Sequence, residues 1–403
     1  MKIAKRIAIA LIAVVVLLQL PFVYRRYQVG QLSGKIASLE AQRIQNTDQA
    51  YRDLKGIIHA HTSLGGHSHG SFDELIDAAN ANGLDFVLMT EHYSDKFDTA
   101  ALTLNGVYGK TLFIGGNEID TASNDRFLLI PGSPDAASFR KAPTPDVLAR
   151  AHSENKLAYI TYPERFNSWD TDFDGIEVFS IHTSAKERSK FTALFDLIWS
   201  FPAYPELTLA RGFERPDANL QKFDEIAANR NISLFAGTDA HSNIGLHLLG
   251  DETGKEFLGF KIDPYVSSMR LAHMHILLPA GEEPTRETLQ AALQKRHFFT
   301  GFDVLGDTSG FMFAAENGQT IMGDETAFAA GMVLKATAPL PARIVFYKNG
   351  QVVGVPSHSG EPLNYGSIAV DGPGVYRVEV YLDQLGAPFD KMPWILSNPI
   401  YIR

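Results

Sequence analysis

Two apolar runs, far apart in the chain, each end in a pair of potential metal ligands spaced at i and i+2. The first run ends in His59 and His61, and the second ends in Asp239 and His241. On a β-strand, this spacing places both side chains on one face. Two such strands in a parallel sheet would bring four ligands to one edge. The pattern therefore predicts a metal site built on an α/β sheet.

The composition limits the classes of protein that this chain can belong to. Its 403 residues are 45% hydrophobic, enough for a sizeable core, and the length suits an N-terminal anchor followed by two domains. The formal net charge of -10 argues against a nucleic-acid partner, because phosphates attract basic surfaces. The absence of cysteine excludes disulfides, thiolate ligands and a thiol nucleophile, so histidine and carboxylate remain as metal ligands.

The N-terminus has the composition of a membrane element. Residues 7–24 contain no charged side chain, and 18 residues just span a hydrocarbon core of about 30 Å. Three basic residues precede this stretch and two follow it, which favours a cytoplasmic N-terminus. We therefore predict an uncleaved transmembrane anchor over residues 1–27, a helical stalk over 28–52, and a periplasmic or extracellular remainder. The alternative is a cleaved signal peptide, which would give a secreted protein, although no A-x-A-like cleavage site follows.

Between residues 53 and 300, short apolar runs alternate with helical patterns, which is typical of a parallel α/β fold. One helix between the first two strands has a clear start, because Ser71 and Glu74 match a capping box. This region is predicted to form one α/β domain. Its predicted strands are 56–59, 86–90, 111–115, 127–130, 158–161, 175–180 and 232–237.

The pattern changes after residue 300. Two strand-like runs flank Asn349 and Gly350, a dipeptide that favours a tight hairpin turn. Residues 375–381 alternate between apolar and polar side chains, as a half-buried strand does. Residues 301–403 are therefore predicted to form a small antiparallel β-sandwich.

Two further strands end in potential ligands. Glu91 and His92 follow one apolar strand, and Glu118 follows another apolar run that breaks into glycines. Charged and imidazole groups just past the carboxyl ends of parallel strands are where barrel enzymes carry their chemistry. These residues are therefore predicted to lie in the same site as the two histidine signatures.

The order and spacing of these motifs resemble the PHP (polymerase and histidinol phosphatase) superfamily of metal-dependent hydrolases. The family's motifs H-x-H-T, T-D-H, G-x-E and D-x-H match residues 59–62, 90–92, Glu118 and 239–241, with Glu91 in place of the aspartate of T-D-H. The resemblance covers about half of the chain. It implies a metallohydrolase domain over residues 53–300, folded as a distorted (β/α)7 barrel with up to three metal ions at its mouth.

Other segments narrow the resemblance. The sequence D-G-I-E-V at 174–178 is similar to a strand of the family, while 295–300 and 397–401 look like the CehA/McbA-like branch, which includes carbamate-ester hydrolases. The resemblance therefore implies a small-molecule ester as substrate. A phosphoester is the default of the superfamily, and a carbamate or carboxyl ester is what the narrower branch suggests.

The resemblance also implies ligands for two divalent ions. The ligands of the first ion would be His59, His61, Glu118 and Asp239, and those of the second His67, His92 and His241. His69 is the alternative to His67. Mixed nitrogen and oxygen ligands without thiolate suit Zn²⁺, Mn²⁺ or Fe²⁺. Such ions lower the pKa of bound water, so a metal-bound hydroxide is the expected nucleophile.

Two places depart from the family pattern. Residues 65–70, which contain His67 and His69, stand where many members have S-D-G, and the second departure is at Tyr162. Tyr162 stands where the H-P-x-R motif has its histidine, and no histidine lies near residues 125–127, so we expect the third metal position to have lost its ligands. Arg165 matches the arginine of that motif and is expected to bind a phosphate or a developing oxyanion. Tyr162 is expected to donate a hydrogen bond into the site. The alternative class is a membrane-tethered binding protein on a partly decayed barrel.

Overall fold

The computed structural model describes residues 2–44, 50–181, 190–242, 245–250, 256–261, 263–316, 318–356 and 363–403. The α-helices are α1 (Lys2–Glu40), α2 (Phe72–Ala81), α3 (Thr99–Leu102), α4 (Ala136–Phe139), α5 (Thr144–Ser153), α6 (Lys190–Trp199), α7 (Pro205–Ala210), α8 (Asp217–Ala227), α9 (Tyr265–Ser268) and α10 (Arg286–Gln294). Short 3₁₀-helices cover Ser63–Gly65, Pro163–Arg165, Asp303–Leu305, Asp383–Leu385 and Phe389–Lys391.

Helices separate many of the strands in the first three quarters of the chain, although β4 to β7 follow one another, and the last quarter contains strands and short 3₁₀-helices. Up to the sequence signature at 239–241 they are β1 (Tyr51–Ala60), β2 (Phe86–Met89), β3 (Glu91–His92), β4 (Gly106–Tyr108), β5 (Thr111–Ile114), β6 (Asn117–Asp120), β7 (Arg126–Ile130), β8 (Leu157–Ile160), β9 (Gly175–Ser180) and β10 (Ser233–Gly237). Beyond it they are β11 (Gly245–Gly250), β12 (Glu256–Lys261), β13 (His273–Pro279), β14 (Phe298–Gly301), β15 (Met312–Ala315), β16 (Glu325–Thr326), β17 (Val333–Lys348), β18 (Gln351–Gly354), β19 (Leu363–Ala369), β20 (Gly374–Tyr381), β21 (Ile395–Ser397) and β22 (Ile400–Ile402). All seven strands predicted before residue 300 are observed.

These strands form two large sheets and a small pair. The main path of the larger sheet has the order β15-β17-β20-β21-β14-β13-β1-β2-β5-β4, and the second sheet has the order β10-β9-β8-β7-β6-β3. The triplets β1-β2-β5 and β8-β9-β10 are parallel, as the sequence predicts. β7 departs from this arrangement because it runs antiparallel to both of its neighbours.

The two sheets meet at the ends of β1 and β10. Ala60 and Ala240 form a parallel bridge, the amide of Thr238 donates to the carbonyl of Ile58 at 3.1 Å, and the amide of His61 donates to the carbonyl of Ala240 at 3.0 Å. On another side, the chain passes from β2 to β3 and from β5 to β6, and thus from one sheet into the other. The structure is therefore a mixed α/β fold whose strands are assigned to two joined sheets, while the closed (β/α)7 barrel stays a prediction.

Local sequence explains the start of α2. The Ser71 side chain accepts a hydrogen bond from the amide of Glu74, and the Glu74 carboxylate accepts one from the amide of Ser71. This is the predicted capping box, which satisfies two backbone donors that the first turn leaves unpaired. Leu75 and Ala79 bury one face of α2 against the larger sheet, and so fix the loop between β1 and α2 beside the ends of the strands.

The C-terminal region is antiparallel, as predicted, except that the short β16 runs parallel to β22. β17 pairs with β18 through a turn in which Asn349 and Gly350 have φ angles of 49° and 78°, which confirms the hairpin. The region is not separate from the rest, because β21 pairs with β14 and so continues the larger sheet. β20 is buried over its full length, so the expectation of a half-buried strand at 375–381 is wrong. The second packed layer of a sandwich stays a prediction.

Among the described residues, one helix is long and apolar enough to cross a membrane. α1 spans 39 residues, and its most apolar window has a mean hydropathy of 2.6 with only 6% of its residues buried. The structure thus confirms an N-terminal helix with the length and composition of a membrane span. A signal sequence has the same properties. Cleavage, the direction of insertion and the location of the remainder stay predictions.

The second half of α1 packs on the body of the protein. Val29, Leu32 and Leu39 are buried in the core that also contains β9, β17 and β20. The Arg25 guanidinium donates from Nε to the buried Asp196 carboxylate at 2.8 Å. The predicted stalk is therefore helical up to residue 40 but lies against the protein instead of extending away from it.

Candidate metal centre

The side chains of the candidate site lie at the end of β1, on the short strands β3 and β6, and just after β8 and β10. Three of these residues have left-handed backbone conformations, with φ of 73° at His59, 53° at Tyr162 and 45° at Asp239. Such conformations cost free energy for residues other than glycine, and they persist where the surrounding structure holds them. At His59 the register between β1 and β2 shifts, so this strand end is a bulge and not the regular strand that the H-x-H spacing predicts.

Despite the bulge, the histidines of the first signature lie around one carboxylate. Oε2 of Glu118 lies 3.6 Å from Nε2 of His59, 3.3 Å from Nε2 of His61 and 3.3 Å from Nε2 of His92. The parallel pairing of β3 with β6, which places His92 opposite Glu118, produces the last of these contacts. One oxygen therefore has three imidazole nitrogens around it.

The second signature closes the same cluster. Oδ1 of Asp239 lies 3.4 Å from Nε2 of His59, 3.5 Å from Nε2 of His61 and 3.2 Å from Nδ1 of His241. The rings of His61 and His241 stack with their centroids 4.4 Å apart, and those of His61 and His92 stack at 4.7 Å. The backbone hydrogen bonds between the two signatures hold the loop ends in this arrangement.

The donor set fits divalent metal ions. Nε2 of His59 and both ring nitrogens of His61 are buried and make no hydrogen bond within the described residues, although carboxylate oxygens lie 3.3–3.6 Å from the two Nε2 atoms. Ligand atoms around a tetrahedral ion, each about 2.0–2.1 Å from it, are separated by about 3.3 Å. Buried polar atoms without partners are costly, and a cation between them would remove that cost.

Two groups of these residues have ligand atoms within 4.8 Å of one another, namely His59, His61 and Glu118, and His61, His92 and His241. His61 belongs to both groups, whereas the sequence assigned it to the first ion alone. His67 is exposed, and its ring centroid lies 4.6 Å from that of His92. His69, the alternative to His67, is exposed as well.

The charges of the cluster are strongly coupled. Burial lowers the pKa of His59, but the negative charges of Glu177 and Asp239 outweigh it, so the pKa lies well above its usual range. Burial and the neighbouring His241 lower the pKa of His61 well below its usual range. Burial raises the pKa of Glu118, but its contact with His59 lowers the pKa by more than burial raises it. The pKa of Glu118 therefore lies below its usual value, and the carboxyl stays ionised. Histidine protons and metal ions would thus compete for this site.

Glu177, which lies on β9, belongs to this site although sequence reasoning did not assign it a role. Nδ1–H of His59 donates to Oε1 of Glu177 at 2.9 Å, and the Thr161 hydroxyl donates to the other carboxylate oxygen. This bond directs Nε2 of His59 toward Glu118 and Asp239. A glutamate within the apolar D-G-I-E-V strand is the signal that could have indicated it, because carboxylates are rarely buried without a partner.

Tyr162 and Arg126 lie beside the cluster. The Tyr162 hydroxyl donates to Oδ2 of Asp239 at 2.8 Å, and burial raises the pKa of this phenol. The Arg126 guanidinium lies over the Tyr162 ring, 5.5 Å from its centroid, and Nη1 is 3.3 Å from Oε1 of Glu118. Arg165 is exposed at the end of a 3₁₀-helix and lines the same cavity as Tyr162. Arg126 is a residue of the site that the sequence motifs did not reveal.

A second group of histidines lies outside this site. His275 donates from Nδ1 to Asp53 at 2.8 Å, its Nε2 lies 2.9 Å from the Thr308 hydroxyl, and Nδ1 of His273 lies 2.8 Å from Oδ2 of Asp303. The ligand atoms of His273, His275 and Asp303 are close enough to hold a metal ion, but most polar atoms of this group already form hydrogen bonds with one another. We interpret it as a buried ion-pair network.

No known protein family and no curated protein matches this sequence. Among solved structures, the chain is similar to PsfC from Pseudomonas syringae PB-5123, whose crystal structure is known. The two share 12% identity, the match covers 59% of this chain and 87% of that chain, and the TM-score is 0.35. A likeness this distant supports no inference about fold or function. The structure itself shows a mixed α/β protein with buried groups of histidine and carboxylate that could hold metal ions.

Proposed function

We propose that this protein is a metal-dependent hydrolase that uses a metal-activated water on an ester, with a phosphoester as the preferred substrate class. The observation that supports this most is the convergence of three histidine Nε2 atoms on one oxygen of Glu118, with Asp239 beside them. An unfilled arrangement of this kind would be costly in a protein interior. The resemblance of its motifs to the PHP superfamily also supports the proposal.

The site is proposed to bind two divalent ions, which are Zn²⁺, Mn²⁺ or Fe²⁺. The proposed ligands are His59, His61, His67, His92, Glu118, Asp239 and His241. When bound, such ions act as Lewis acids and lower the pKa of a bound water toward about 7. Glu177 orients His59 through the Nδ1 hydrogen bond, and Tyr162 holds Asp239 by one oxygen so that the other faces the histidines. Arg165 is proposed to bind the phosphoryl group from the adjoining cavity.

Metal analysis of purified full-length protein tests the site. His59→Ala and Asp239→Ala should each remove most of the bound metal, because each substitution removes a ligand atom from the cluster. His152→Ala is the matched control, since His152 lies on α5 and contacts Asp174 instead of the cluster. Equal metal content and equal hydrolysis in all three variants would show that the site is assigned wrongly.

Parallel turnover of three esters tests the reaction. We expect cleavage of p-nitrophenyl phosphate or bis-p-nitrophenyl phosphate with added Zn²⁺ or Mn²⁺, and a loss on Arg165→Ala that corresponds to about 1.5–3 kcal/mol of a charge-assisted contact. Cleavage of a naphthyl carbamate alone would move the proposal to the carbamate and carboxyl-ester class. Full metal loading without turnover of any ester would favour a membrane-tethered binding protein.

A further inference from the structure

A cavity of about 1080 Å³ adjoins the candidate metal centre. Tyr162 and Arg126 form the part of its lining that reaches the cluster, because both contact cluster carboxylates. Two further arginines, Arg140 and Arg165, line the same cavity. A cleft with several charges of one sign concentrates ligands of the opposite sign. The proposed ester would therefore enter past three guanidinium groups.

Arg126 is held in place by the site itself. Nε donates to Oδ1 of Asp120 at 2.6 Å, and Nη1 donates to Oε1 of Glu118 at 3.3 Å. Its side chain is 37% exposed, so the guanidinium contacts the cluster on one side and the cavity on the other. A guanidinium has five N–H donors, and the hydrogen bonds to Asp120 and Glu118 use three of them. Donors therefore remain for a ligand on the cavity side.

Two carboxylates, Asp120 and Glu164, also line the cavity and offset part of this charge. Asp120 pairs with Arg126, whereas Oε1 of Glu164 accepts a hydrogen bond only from the neutral Nδ2 of Asn219, at 2.7 Å. Arg140 is exposed and lies over the Tyr93 ring, 5.0 Å from its centroid. An aromatic ring restrains a guanidinium without neutralising it. Three arginines (Arg126, Arg140 and Arg165) against two carboxylates leave the wall a formal charge of +1.

We infer that Arg126 and Arg140, together with Arg165, form an anion-binding subsite that restricts the substrate to phosphomonoesters, which carry two negative charges, in preference to phosphodiesters, which carry one. Arg126 is a catalytic residue in this scheme, because it contacts the phosphoryl oxygens beside the cluster. Arg140 binds the same group from the outer side of the cavity. The inference rests on the proposed hydrolase function and narrows its substrate class.

A pair of substrates with the same leaving group tests the inference. Metal-loaded wild-type protein should show a kcat/KM at least tenfold higher for p-nitrophenyl phosphate than for methyl p-nitrophenyl phosphate. Arg126→Ala should lower the value for the monoester about 100-fold, and Arg140→Gln should raise its KM about tenfold, with smaller effects on the diester. Arg52→Gln is the control, since Arg52 is exposed near the start of β1, seven residues before His59.

Two measurements separate a direct role from a structural one. Guanidinium chloride at low concentration should restore monoester turnover to Arg126→Ala, whereas urea at the same concentration should not. Inorganic phosphate, titrated calorimetrically into the metal-loaded proteins, should bind wild type and Arg52→Gln about tenfold more tightly than Arg140→Gln. Because Arg140 makes no contact with the proposed ligands in the described residues, this variant tests the subsite even if Arg126→Ala does not fold.

The possible results distinguish a failure of the anion-binding subsite from a failure of the proposed hydrolase function. Wild-type hydrolysis with no preference for the monoester, and with Arg140→Gln equal to Arg52→Gln, overturns the subsite and leaves the hydrolase standing. Absence of turnover of either ester by the metal-loaded protein overturns the hydrolase. In that case equal phosphate binding by Arg140→Gln and Arg52→Gln would overturn the subsite as well, and weaker binding by Arg140→Gln would support it as an anion site.

Discussion

Glu177 contacts the candidate metal centre through His59. It is His59, and not Glu177, that lies next to the carboxylate oxygens of Glu118 and Asp239. Its Oε1 accepts the Nδ1 proton of His59, which fixes the ring and presents Nε2 to the cluster. Carboxylates in this position typically contribute 10–100-fold to metal affinity or activity. The left-handed φ of His59 adds to the need for such support, because a strained residue stays in place only where its neighbours hold it.

We expect Glu177→Gln to lower metal affinity by roughly tenfold and Glu177→Ala by up to about 100-fold, because glutamine can still accept the Nδ1 hydrogen bond and alanine cannot. Competition with a chromophoric chelator would measure the affinity. His152→Ala provides the baseline. Affinities of both Glu177 variants equal to that baseline would show that His59 does not need this carboxylate.

His275 links stability to pH. Burial lowers its pKa, but the negative charges of Asp53 and Asp303 outweigh burial and raise the pKa to about 10. The folded protein therefore holds this proton more tightly than the unfolded chain, whose histidine pKa is about 6.5. The contribution to stability is complete below about pH 6.5 and is lost as the pH rises toward 10.

Urea unfolding in detergent solution between pH 6.5 and pH 9.5 would test this. The free energy of unfolding of wild type should fall with rising pH by up to about 1.4 kcal/mol per unit more steeply than that of His275→Gln, which has no proton to lose there. If the free energies of unfolding of the two proteins changed with pH in parallel, the raised pKa of His275 would be contradicted.

At the scale of elements, a buried ion-pair network joins β20 to α8. Arg377 donates from Nε to Asp224 at 2.7 Å and from Nη1 to Glu379 at 2.5 Å, and Arg215 donates to Glu379 as well. These contacts hold the pKa of Glu379 at about 2, although burial by itself would raise it. Removal of one partner from such a network leaves an uncompensated buried charge. The C-terminal strands and the α/β region are thus joined by charge as well as by the continuous sheet.

Arg377→Met should lower the free energy of unfolding by about 3–5 kcal/mol, because Asp224 and Glu379 would lose a buried cation. Arg343→Gln, which removes a half-exposed pair with Asp383, should cost under about 1 kcal/mol. Denaturant titration of both variants measures the difference. A cost for Arg377→Met as small as that for Arg343→Gln would show that the network contributes little to stability.

At the scale of the whole molecule, α1 combines two roles in one helix. Its first half exposes apolar side chains to the surroundings, and its second half is buried against the core through Val29, Leu32 and Leu39. If the first half spans a membrane, the body must lie close to the membrane surface, because Gln19 and Phe22 already contact Trp199 and Phe195 of α6. A free stalk would have allowed a greater distance.

Reporter fusions test the topology. We expect a reporter that requires export to be active at Arg403, because the basic residues favour a cytoplasmic N-terminus. A fusion that reports on the cytoplasm should be inactive at the same position. The opposite pair of results would reverse the topology, and a mature N-terminus near residue 28 would identify a cleaved signal peptide.

The sequence by itself determined the local features of this protein. The capping box of α2 and the Asn349-Gly350 turn follow from interactions between residues close in the chain. The positions of the seven strands before residue 300 follow from short apolar runs, which are also a local pattern. The apolar N-terminal helix is encoded in the same way. The motifs also predicted most of the histidines and carboxylates of the candidate metal centre, because the spacing of ligands along one strand is a local property.

Only the tertiary structure decided how these parts meet. The bulge at His59, the antiparallel β7 and the continuation of the larger sheet into β21 depend on pairing between distant segments, which no local pattern specifies. The same holds for Glu177 and Arg126, because their contacts with His59 and Glu118 arise from strand register and burial. An isolated glutamate or arginine in a sequence carries no information about which buried charge it will face once the chain has folded.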